Sequence, residues 1–546
     1  MHPQYSAIGI RAGKSRRMEV VLMNRKVRKW GAYLLAAALI VTSLAAAPGM
    51  KEKTTAATRG TFKNLNQAEI TAAMGAGWNV GNQLEANSSG TPSETAWVKT
   101  PITKELIFKV KEAGFTSIRV PISYLSMIGE GPDYTINEEW MKRIQEVADY
   151  CMEADLYTII NMHGDGYNSV TGGWLLCNDE KNQETIKAKY AACWKQIATR
   201  FADYDEHLIF ESMNEEFDGT YGTPNKDYYA NINTYNQIFV DTVRQSGGNN
   251  AKRWLLIPGW NTDIEYTAGD YGFALPTDNY LSSEVPAGEK RIMISVHYYN
   301  PWGFAGEENE NKGTGYGTRW GDSAKKTKTV NYGYEADMDA NFKAMHDKFV
   351  AAGYPVVIGE YGSIDKTWYD EYNNLYRAYY ANSVCHYAKQ YGCIPVYWDN
   401  GWNGKNGFGL FDRGTLEVTE QGIIDAIMAV YKQNLKYEEP NIEPTEDYYK
   451  DAIYLRPVLS KKAGQMTISW EYRRDVDGYE ILTSTSKNFK KAKKTYTIKD
   501  FTEEKKVVKG LKKGKKYFVK IRAYTKINGK KYYGAWSDTD YVKIKK

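Results

Sequence analysis

The sequence predicts an α/β protein, a (β/α)8 barrel followed by a smaller all-β domain. Eight short apolar segments alternate with helical segments between residues 77 and 400. Polar and aromatic residues recur at the same end of these segments, and the last hundred residues change to short alternating segments. At 546 residues the chain exceeds what one hydrophobic core usually supports, so at least two domains are expected.

The first fifty residues are interpreted as an export signal. A basic stretch that starts at Met23, MNRKVRK, precedes the apolar run Trp30–Ala47, which ends in small residues. This order is typical of a Sec-type signal peptide, so we expect residues 1–50 to direct secretion and translation to start at Met23. A membrane anchor is the alternative, although the run is at the short end for spanning a bilayer. No Cys follows the run, which argues against a lipoprotein.

The barrel domain is predicted over residues 60–434. Near-continuous apolar strands separated by amphipathic helices are typical of a parallel sheet covered by helices, and eight such units match a (β/α)8 barrel with long loops. The strands are expected at Gly77–Asn82, Thr116–Pro121, Tyr157–His163, Leu208–Glu215, Trp254–Trp260, Ile292–Tyr299, Pro355–Glu360 and Ile394–Asn400. The helices are expected at Thr103–Ala113, Glu138–Ala154, Ile186–Phe201, Tyr228–Gln245, Ala336–Ala351 and Glu371–Gln390.

The carboxyl ends of the predicted strands carry the residues suited to chemistry. In chain order they are Asn82, Arg119, His163, Asn214 with Glu215, Trp260, His297 with Tyr299, Glu360 and Trp398. In a barrel these ends surround one mouth, where the active site is built. A buried ion-pair network is the alternative, but it does not require two carboxylates, two histidines and aromatic rings together. The sequence therefore predicts an active site at this mouth.

Six motifs at these strand ends resemble glycoside hydrolase family 5, the cellulase family of the clan A (β/α)8 barrels. They are GWNVGNQLEA (Gly77–Ala86), IRVP (Ile118–Pro121), FESMNE (Phe210–Glu215), VHYY (Val296–Tyr299), IGEYG (Ile358–Gly362) and YWDNG (Tyr397–Gly401). The resemblance runs from about Asn64 to Tyr431. The departure is HGD at residues 163–165, where many relatives carry two adjacent histidines. Contacts beside the cleavage point are therefore expected to differ.

The resemblance implies the roles of the catalytic residues. Glu215 would be the acid/base and Glu360 the nucleophile of a retaining enzyme, whose carboxyl groups lie about 5–5.5 Å apart rather than about 6.5–9.5 Å. Arg119 should keep Glu360 ionised, while Glu215 keeps its proton longer. Asn214 would hold the sugar 2-hydroxyl and Tyr299 would donate to Glu360. The two histidines that would orient the site are His163 and His297.

Aromatic and polar residues around the mouth are the predicted sugar contacts. Trp398 would stack under the sugar ring next to the cleavage point. Further candidates are Trp78, Trp174, Trp260, Trp302 and Trp402, with Asn82, Glu85 and Asp165 as partners of sugar hydroxyls. Each of the distal tryptophans can equally well fill the core. No set of metal ligands is apparent, so neither a metal nor a cofactor is expected.

Cysteine usage and charge limit the remaining choices. Five Cys without a CxxC spacing argue against a zinc site or a disulfide framework, and one bridge is left open. Residues 451–546 hold 26 Lys and Arg against 10 Asp and Glu, whereas residues 51–450 hold 37 against 55. A basic domain can adhere to an anionic surface, although a solvated lysine-rich surface is an equal interpretation. Nothing resembles a nucleic-acid-binding module.

The C-terminal domain is predicted over residues 451–546, after an acidic, proline-containing linker at 435–450. Short alternating strands are typical of a β-sandwich. They are expected at Gln465–Trp470, Tyr479–Ser484, Lys506–Val508, Lys516–Tyr524 and Tyr541–Ile544. The segments QMTISW, GYEI and GLKKGKKYFVKIRAY resemble a fibronectin type III domain, with Trp470 on its second strand and Tyr517 as its corner tyrosine. A spacer or a weak adhesion role at a cell surface or on polysaccharide is expected.

The leading functional interpretation is a secreted, retaining endo-β-1,4-glucanase that acts as a monomer on plant cell-wall β-glucan. Xyloglucanase, xylanase and β-mannanase are the alternatives within the same family, because loops and distal aromatics determine specificity there. A non-catalytic polysaccharide-binding protein is the alternative from another class. It would most simply have lost one carboxylate, and both Glu215 and Glu360 are present.

Overall fold

A computed structural model of the chain describes residues 61–167, 170–324, 329–442, 452–471, 473, 476–527 and 530–546. The expected signal peptide, residues 1–50, lies outside the described residues, as does the second half of the expected linker, 443–450. The proposed domain limits therefore stay predictions.

Eight parallel strands close into a barrel, which confirms the predicted fold class. They are β1 Gly77–Val80, β2 Ser117–Val120, β3 Tyr157–Asn161, β4 Leu208–Glu211, β5 Leu255–Pro258, β6 Ile292–Tyr298, β7 Val356–Tyr361 and β8 Cys393–Asp399. Each strand pairs in parallel with the next, and β8 pairs with β1. Every strand residue except Trp398 is buried, which explains why the strands are apolar throughout rather than alternating.

The described residues include ten α-helices. They are α1 Gln67–Met74, α2 Lys104–Ala113, α3 Glu138–Glu153, α4 Gln183–Arg200, α5 Lys226–Gln245, α6 Ile264–Ala268, α7 Trp302–Ala305, α8 Glu335–Lys348, α9 Asn373–Gln390 and α10 Gln421–Gln433. The six predicted helices correspond to α2, α3, α4, α5, α8 and α9. Among these ten, no helix is long and apolar enough to cross a membrane.

Helix α1, which was not predicted, packs onto the barrel strands. Asn66 and Glu69 form a capping box at its first turn, which satisfies amide groups that the helix itself cannot bond. Ile70 and Met74 on this helix are fully buried and share an apolar cluster with strand residues that point into the barrel. The strand members of this cluster are Tyr157, Ile159, Ile209, Leu256, Met293, Val357, Ile394 and Val396.

The C-terminal residues form antiparallel sheets, as predicted for an all-β region. Their strands are β9 Met466–Ser469, β10 Gly478–Ser484, β11 Lys494–Ile498, β12 Lys505–Val508, β13 Lys516–Ile527, β14 Lys530–Tyr533 and β15 Asp540–Lys543. Strand β9 pairs with β12, and the others form a five-stranded sheet around β13. The sequence did not predict β11 and β14, whose residues are mostly exposed and mostly polar. Trp470 is fully buried in the core of this region.

All five cysteines are free thiols and all are buried. Three of them, Cys151, Cys193 and Cys385, lie on helices and pack in the main apolar core of the barrel. They act as small apolar side chains there. The disulfide that the sequence left open does not form.

Candidate active site

The two predicted catalytic carboxylates face each other at the carboxyl end of the barrel strands. Glu360 lies within β7, and Glu215 follows β4 by four residues. One oxygen of each carboxylate and a nitrogen of His297 lie within 4.8 Å of one another. This separation is below the roughly 6.5 Å that an inverting enzyme needs to admit a water between its carboxylates.

Glu360 is held by donors that belong to strands or directly follow them. Arg119 Nη1 on β2 donates to Glu360 Oε1 at 2.8 Å, and Tyr299 Oη donates to Oε2 at 2.9 Å. The same Arg119 nitrogen donates to Asn79 Oδ1 on β1 at 3.1 Å. Asn79 Nδ2 in turn donates to the backbone carbonyl of Gly359 at 2.8 Å. The predicted contacts of Arg119 and Tyr299 with Glu360 are thus confirmed.

A third carboxylate, Glu211 on β4, lies behind the pair. Arg119 Nε donates to Glu211 Oε2 at 2.7 Å, and neither side chain has any exposed surface. Ser295 Oγ donates to Glu211 Oε1 at 2.6 Å, and Asn161 Nδ2 donates to Oε2 at 3.0 Å. A buried carboxylate is costly unless it is paired and hydrogen-bonded, and these three donors meet that requirement. Glu211 therefore balances part of the charge of Arg119.

Glu215 is held on the opposite side of the site. His297 Nδ1 lies 2.7 Å from Glu215 Oε1, and Tyr167 Oη donates to Oε2 at 2.9 Å. Asn214 Nδ2 donates to Tyr167 Oη at 2.7 Å, while Asn214 Oδ1 accepts from Arg119 Nη2 at 2.6 Å. Asn214 therefore lies beside Glu215, as predicted, and links the two halves of the site through Arg119.

The two histidines make different contacts. Within the described residues, Nε2 of His297 is buried and has no hydrogen-bond partner, so His297 contacts Glu215 through Nδ1 alone. Asn161 Nδ2 lies 3.2 Å from His163 Nδ1, so that His163 carries its proton on Nε2, 4.0 Å from Glu360 Oε1. Burial and the charge of Arg119 hold the pKa of His163 well below its usual value. The neutral form of His163 is therefore favoured, and its Nε2 lies too far from Glu360 to form a hydrogen bond.

The two carboxyl groups titrate as a pair because of their proximity. Burial opposes the ionisation of Glu215, but hydrogen bonds from His297 and Tyr167 lower its pKa below the ordinary value. Burial raises the pKa of Glu360 although the charges of His297 and Arg119 oppose this. Arg119 also donates to Glu211, so only part of its charge acts on Glu360. The expected order, in which Glu215 holds the proton longer, stays a prediction.

Three of the predicted sugar-binding tryptophans are accessible. Trp398 on β8 is half-buried, and its ring lies parallel to that of His163 with centroids 6.0 Å apart. Gly81 faces it so closely that a Cβ at this position would lie 2.8 Å from Trp398, so a side chain there would displace the ring. Trp302 is 53% exposed and packs edge-on against Tyr299, 6.2 Å away. Trp402, after β8, is 62% exposed.

Three predicted sugar contacts are wrong because the side chains are buried. Trp78 points into the core, is fully buried, and donates from Nε1 to Asp399 Oδ2 at 3.1 Å. Trp260 is 1% exposed and packs against Tyr229 in the apolar core. Asp165 is fully buried and accepts bonds from two backbone amides and from an indole nitrogen. Its pKa is raised by burial, and its role is to hold loops together.

The remaining predicted sugar contacts also have structural partners. Trp174 is half-buried and is the indole that donates to Asp165 Oδ1, at 2.7 Å. Glu85 is buried, accepts from the backbone amides of Asn82 and Gln83, and has its pKa raised to about 7 by burial. Asn82 is half-buried and adopts a left-handed backbone with φ of 65°, a conformation that Asn tolerates better than most residues.

Two residues that contact the catalytic carboxylates or their partners, Glu211 and Tyr167, were not predicted from the sequence. Glu211 lies inside the FESMNE motif, but it sits within an otherwise apolar strand and looked like part of the sheet. Tyr167 follows β3 by six residues and belongs to a loop, so strand-end reasoning could not identify it. The departure from the family pattern at residues 163–165 is the sequence feature that could have identified this loop, since Tyr167 lies two residues further along.

Two clusters among the described residues have the composition of a metal site. One is Glu215, His297 and Glu360, and the other is Asp205, Glu206 and His207 at the amino end of β4; each offers three ligand atoms within 4.8 Å of one another. The first cluster is the carboxylate pair itself, and each of its groups already has protein hydrogen-bond partners. Glycoside hydrolysis by two carboxyl groups needs no metal.

Comparison with known proteins agrees with this geometry. The sequence model of the family described as cellulase, glycosyl hydrolase family 5, matches residues 80–404. Endoglucanase A of Paenibacillus barcinonensis is 57% identical over 392 residues, which cover 72% of this chain and 96% of that protein. Endoglucanase B of Neocallimastix patriciarum is 33% identical over 391 residues, covering 69% of this chain and 74% of that protein.

Solved structures lead to the same family. A family 5 xyloglucanase from Paenibacillus pabuli in complex with ligand shares 61% identity, superposes with a TM-score of 0.64, and covers 66% of this chain and 99% of its own. A Bacteroides ovatus xyloglucanase in complex with a XXXG heptasaccharide shares 31% identity with a TM-score of 0.61, over 70% of this chain and 80% of its own. The chain belongs to the cellulase family, glycosyl hydrolase family 5, and is a glycoside hydrolase of the endoglucanase type.

Proposed function

We propose that the chain is a secreted enzyme that cleaves β-1,4-linked glucan internally and with retention of anomeric configuration. The observation that carries the mechanism is the approach of the Glu215 and Glu360 oxygens to within 4.8 Å. A direct attack by one carboxylate fits this distance, whereas an intervening water does not. The relatives named above as endoglucanases support the choice of substrate class.

In the first step Glu360 is the nucleophile. One of its oxygens forms a bond to the anomeric carbon while the glycosidic C–O bond breaks, and Glu215 delivers its proton to the departing oxygen. Arg119 and Tyr299 donate to the Glu360 oxygens and orient the carboxylate for this attack. Asn214, fixed at Oδ1 by Arg119, presents its amide beside Glu215, which supports a bond from it to the sugar 2-hydroxyl.

The proton must lie on Glu215 when the first step occurs. Positive charge that develops at the anomeric carbon in the transition state stabilises the ionised form of Glu360, so the reaction proceeds from the state in which Glu215 carries the proton. His297 Nδ1 lies between the two groups, 2.7 Å from Glu215 Oε1 and 3.6 Å from Glu360 Oε2. The second step reverses the roles: Glu215 takes a proton from water, the water oxygen bonds to the anomeric carbon, and the bond to Glu360 breaks.

Xyloglucan is the second candidate substrate. The observation that favours it is the 61% identity to a structure described as a xyloglucanase. The accessible tryptophans Trp302, Trp398 and Trp402 offer flat faces on which glucan rings can stack.

Reducing-sugar release tests the proposed activity. The full chain is incubated with soluble β-glucans, xyloglucan, xylan and mannan, beside the Glu215→Gln and Glu360→Gln variants and the matched control Glu112→Gln on the exposed side of α2. Release from a glucan or from xyloglucan by the wild type and the control, but not by the other two variants, is expected. Absence of release from every substrate would overturn the proposal and favour a polysaccharide-binding protein.

Proton NMR of the first product tests retention. A β-linked substrate should yield the β-anomer first, because two displacements restore the configuration. Initial appearance of the α-anomer would refute the nucleophilic role of Glu360 whatever the substrate.

For the C-terminal region we propose a fibronectin type III-like domain that serves as a spacer or adheres weakly to a polysaccharide or cell surface. Burial of Trp470 and the bond from Lys512 N to Tyr517 Oη at 3.3 Å support the fold, since a corner tyrosine bonds backbone a few residues upstream. The excess of basic residues supports adhesion to anionic material. Deleting residues 447–546 should preserve turnover on soluble substrate and reduce retention on insoluble polysaccharide or cells; a large loss of turnover would contradict the domain limits.

Secretion is proposed from the segment at residues 23–47. Expression of the full chain in a bacterial host, followed by separation of medium from cells, should find the activity in the medium and a shortened amino terminus. Retention of the complete chain in the membrane fraction would instead support the anchor.

A further inference from the structure

We propose that Glu216 is a positioning residue that holds Tyr167 against the acid/base. This inference rests on the proposed role of Glu215. Glu216 immediately follows Glu215, and the mechanism above assigns it nothing. The structural unit it acts on, here named the Tyr167 segment, consists of residues 164–167 and 170–177 in the connection between β3 and α4.

Glu216 is buried beneath the Tyr167 segment. The residue is 1% exposed, and its Oε1 accepts a hydrogen bond from the backbone amide of Cys177 at 2.8 Å. Its Oε2 atom has no hydrogen-bond partner among the described residues. Its backbone carbonyl accepts from Asn261 N at 2.9 Å, which ties Glu216 to the residues that follow β5. A carboxyl group in such a place must have a structural or functional reason.

The unpartnered oxygen lies directly against Gly166. A Cβ on Gly166 would lie only 2.0 Å from Glu216 Oε2, so the backbone next to Tyr167 rests on this carboxyl group. Asp165 anchors the opposite side of the segment through the backbone amides of Tyr124 and Leu125. The segment is therefore fixed at both sides, by Asp165 and by Glu216, on either side of the Gly166–Tyr167 peptide.

The position of Tyr167 matters because its hydroxyl bridges two groups of the site. It donates to Glu215 Oε2 and accepts from Asn214 Nδ2. This donation helps to lower the pKa of Glu215. If the segment moves away, Glu215 loses the donor and holds its proton more strongly. Glu216 thus influences the acid/base through Tyr167 without touching the substrate.

Glu216 can do this without adding charge to the site. Burial raises its pKa well above the usual value, which favours the uncharged form. The titratable groups that face it are Cys177, Tyr190 and Tyr235. Those that face Glu215 are Arg119, Tyr167, Tyr221, His297, Tyr299 and Glu360. Among these residues that face Glu215, Glu360 is the one carboxylate. Its titration therefore accompanies that of Glu215.

The alkaline limb of kcat/KM, which reports the loss of the proton needed for the first step, tests the proposal. Tyr167→Phe, Glu216→Ala and Gly166→Ala should each move this limb upward by about 0.5–1 pH unit, the size expected from one hydrogen bond. The double variant Glu216→Ala with Tyr167→Phe should move it no further than either alone. Glu216→Gln is the matched control, because its amide oxygen can still accept from Cys177, and it should leave the limb in place.

Hydrogen exchange provides the readout that does not depend on activity. Amides of the Tyr167 segment should exchange faster in Glu216→Ala than in the wild type or in Glu216→Gln. Unchanged exchange and an unmoved limb in folded Glu216→Ala and Gly166→Ala would overturn the proposal, as would additive shifts in the double variant. Wild-type turnover by Glu215→Gln would refute the acid/base role alone, since the exchange experiment tests the position of the segment independently.

Discussion

Strand β4 has a group of carboxylates and a histidine at each of its ends, and the two groups are built differently. At the amino end His207 Nδ1 lies 3.0 Å from Asp205 Oδ1, and its Nε2 lies 3.3 Å from Asp155 Oδ1. Glu206 there accepts the backbone amide of Lys63 at 2.6 Å. At the carboxyl end Glu215 and Glu360 share one histidine and face each other. The same residue types thus form separate ion pairs at one end and two facing carboxylates with a shared histidine at the other.

The difference separates stability from chemistry. In barrels the amino-terminal end of the strands serves stability and the carboxyl-terminal end serves catalysis. Carboxylates that have cations and amides of their own stabilise the fold, whereas two carboxylates that compete for one proton raise its energy but can exchange that proton with a substrate. Substitutions at the two ends should therefore have opposite effects on activity and on stability.

The largest effect is expected from Glu360→Gln. Without a nucleophile kcat should fall by roughly 10⁴-fold or more, while the free energy of unfolding should not decrease, because the repulsion from Glu215 is removed. Kinetics on a soluble glucan and urea unfolding measure the two quantities. A variant that loses stability along with activity would break the distinction between the ends of β4.

Tyr299→Phe should have a smaller effect on the same carboxylate. It removes the 2.9 Å bond to Glu360 Oε2, and a hydrogen bond to a charged group contributes about 1.5–3 kcal/mol. We expect kcat/KM to fall about 10- to 100-fold. Phe408→Leu, which alters another ring packed against Tyr299, 6.0 Å away, is the control for a packing effect. An equal loss in both variants would show that packing, not the hydroxyl, is responsible.

His207→Gln should reverse the pattern at the amino end. The variant loses the contacts with Asp205 and Asp155 and the stacking on Tyr157, whose ring centroid is 4.3 Å away. The free energy of unfolding should fall by about 1–2 kcal/mol, and kcat should stay within about twofold of the wild type because the site lies at the other end of the barrel. A large loss of kcat with unchanged stability would contradict this assignment.

The smallest expected effect is the pH dependence of the stability difference between the wild type and His207→Gln. Burial opposes the charge of His207, but its hydrogen bond with Asp205 and the nearby carboxylates outweigh burial and raise its pKa. The folded protein therefore binds the proton more tightly than the unfolded chain. The part of the wild-type advantage over His207→Gln that depends on charge should be complete below about pH 6.5, the value of an unperturbed His, and should be lost as the pH rises through the higher folded pKa.

Urea midpoints measured between pH 5 and pH 9 check this sign. His346→Gln, which removes a histidine bonded to the backbone carbonyl of Tyr391, is the matched control. A stability difference that grows with rising pH would show that the interaction of His207 with its carboxylates has been misassigned.

The sequence was most informative where the site is built on strands. Arg119, Glu360 and His297 lie on short apolar strands whose carboxyl ends must meet in a barrel, so their proximity followed from topology. Tyr167 and Glu216 lie in loops, and the contact of Glu216 with the Tyr167 segment depends on how these loops fold. No periodic pattern in the sequence encodes such a contact. The wrongly predicted sugar contacts are due to burial. Trp78 and Asp165 have side chains typical of a binding site, but they point into the protein.

For the same reason, the sequence alone does not determine the order of the two pKa values. It depends on how much of the Glu360 side chain is buried and on whether Arg119 serves one carboxylate or two, which are properties of packing rather than of sequence. Strands β11 and β14 were missed because they lack the apolar alternation that marks a half-buried strand.

Glu211 has a consequence for the covalent intermediate. Once Glu360 is esterified to the sugar it no longer carries a negative charge, and a lone guanidinium buried beside it would raise the energy of that state. Arg119 has a second carboxylate partner in Glu211, 2.7 Å away, and this partner balances its charge when Glu360 becomes neutral. The loss of the Glu360 charge in each turnover therefore does not leave the buried Arg119 guanidinium without a carboxylate partner.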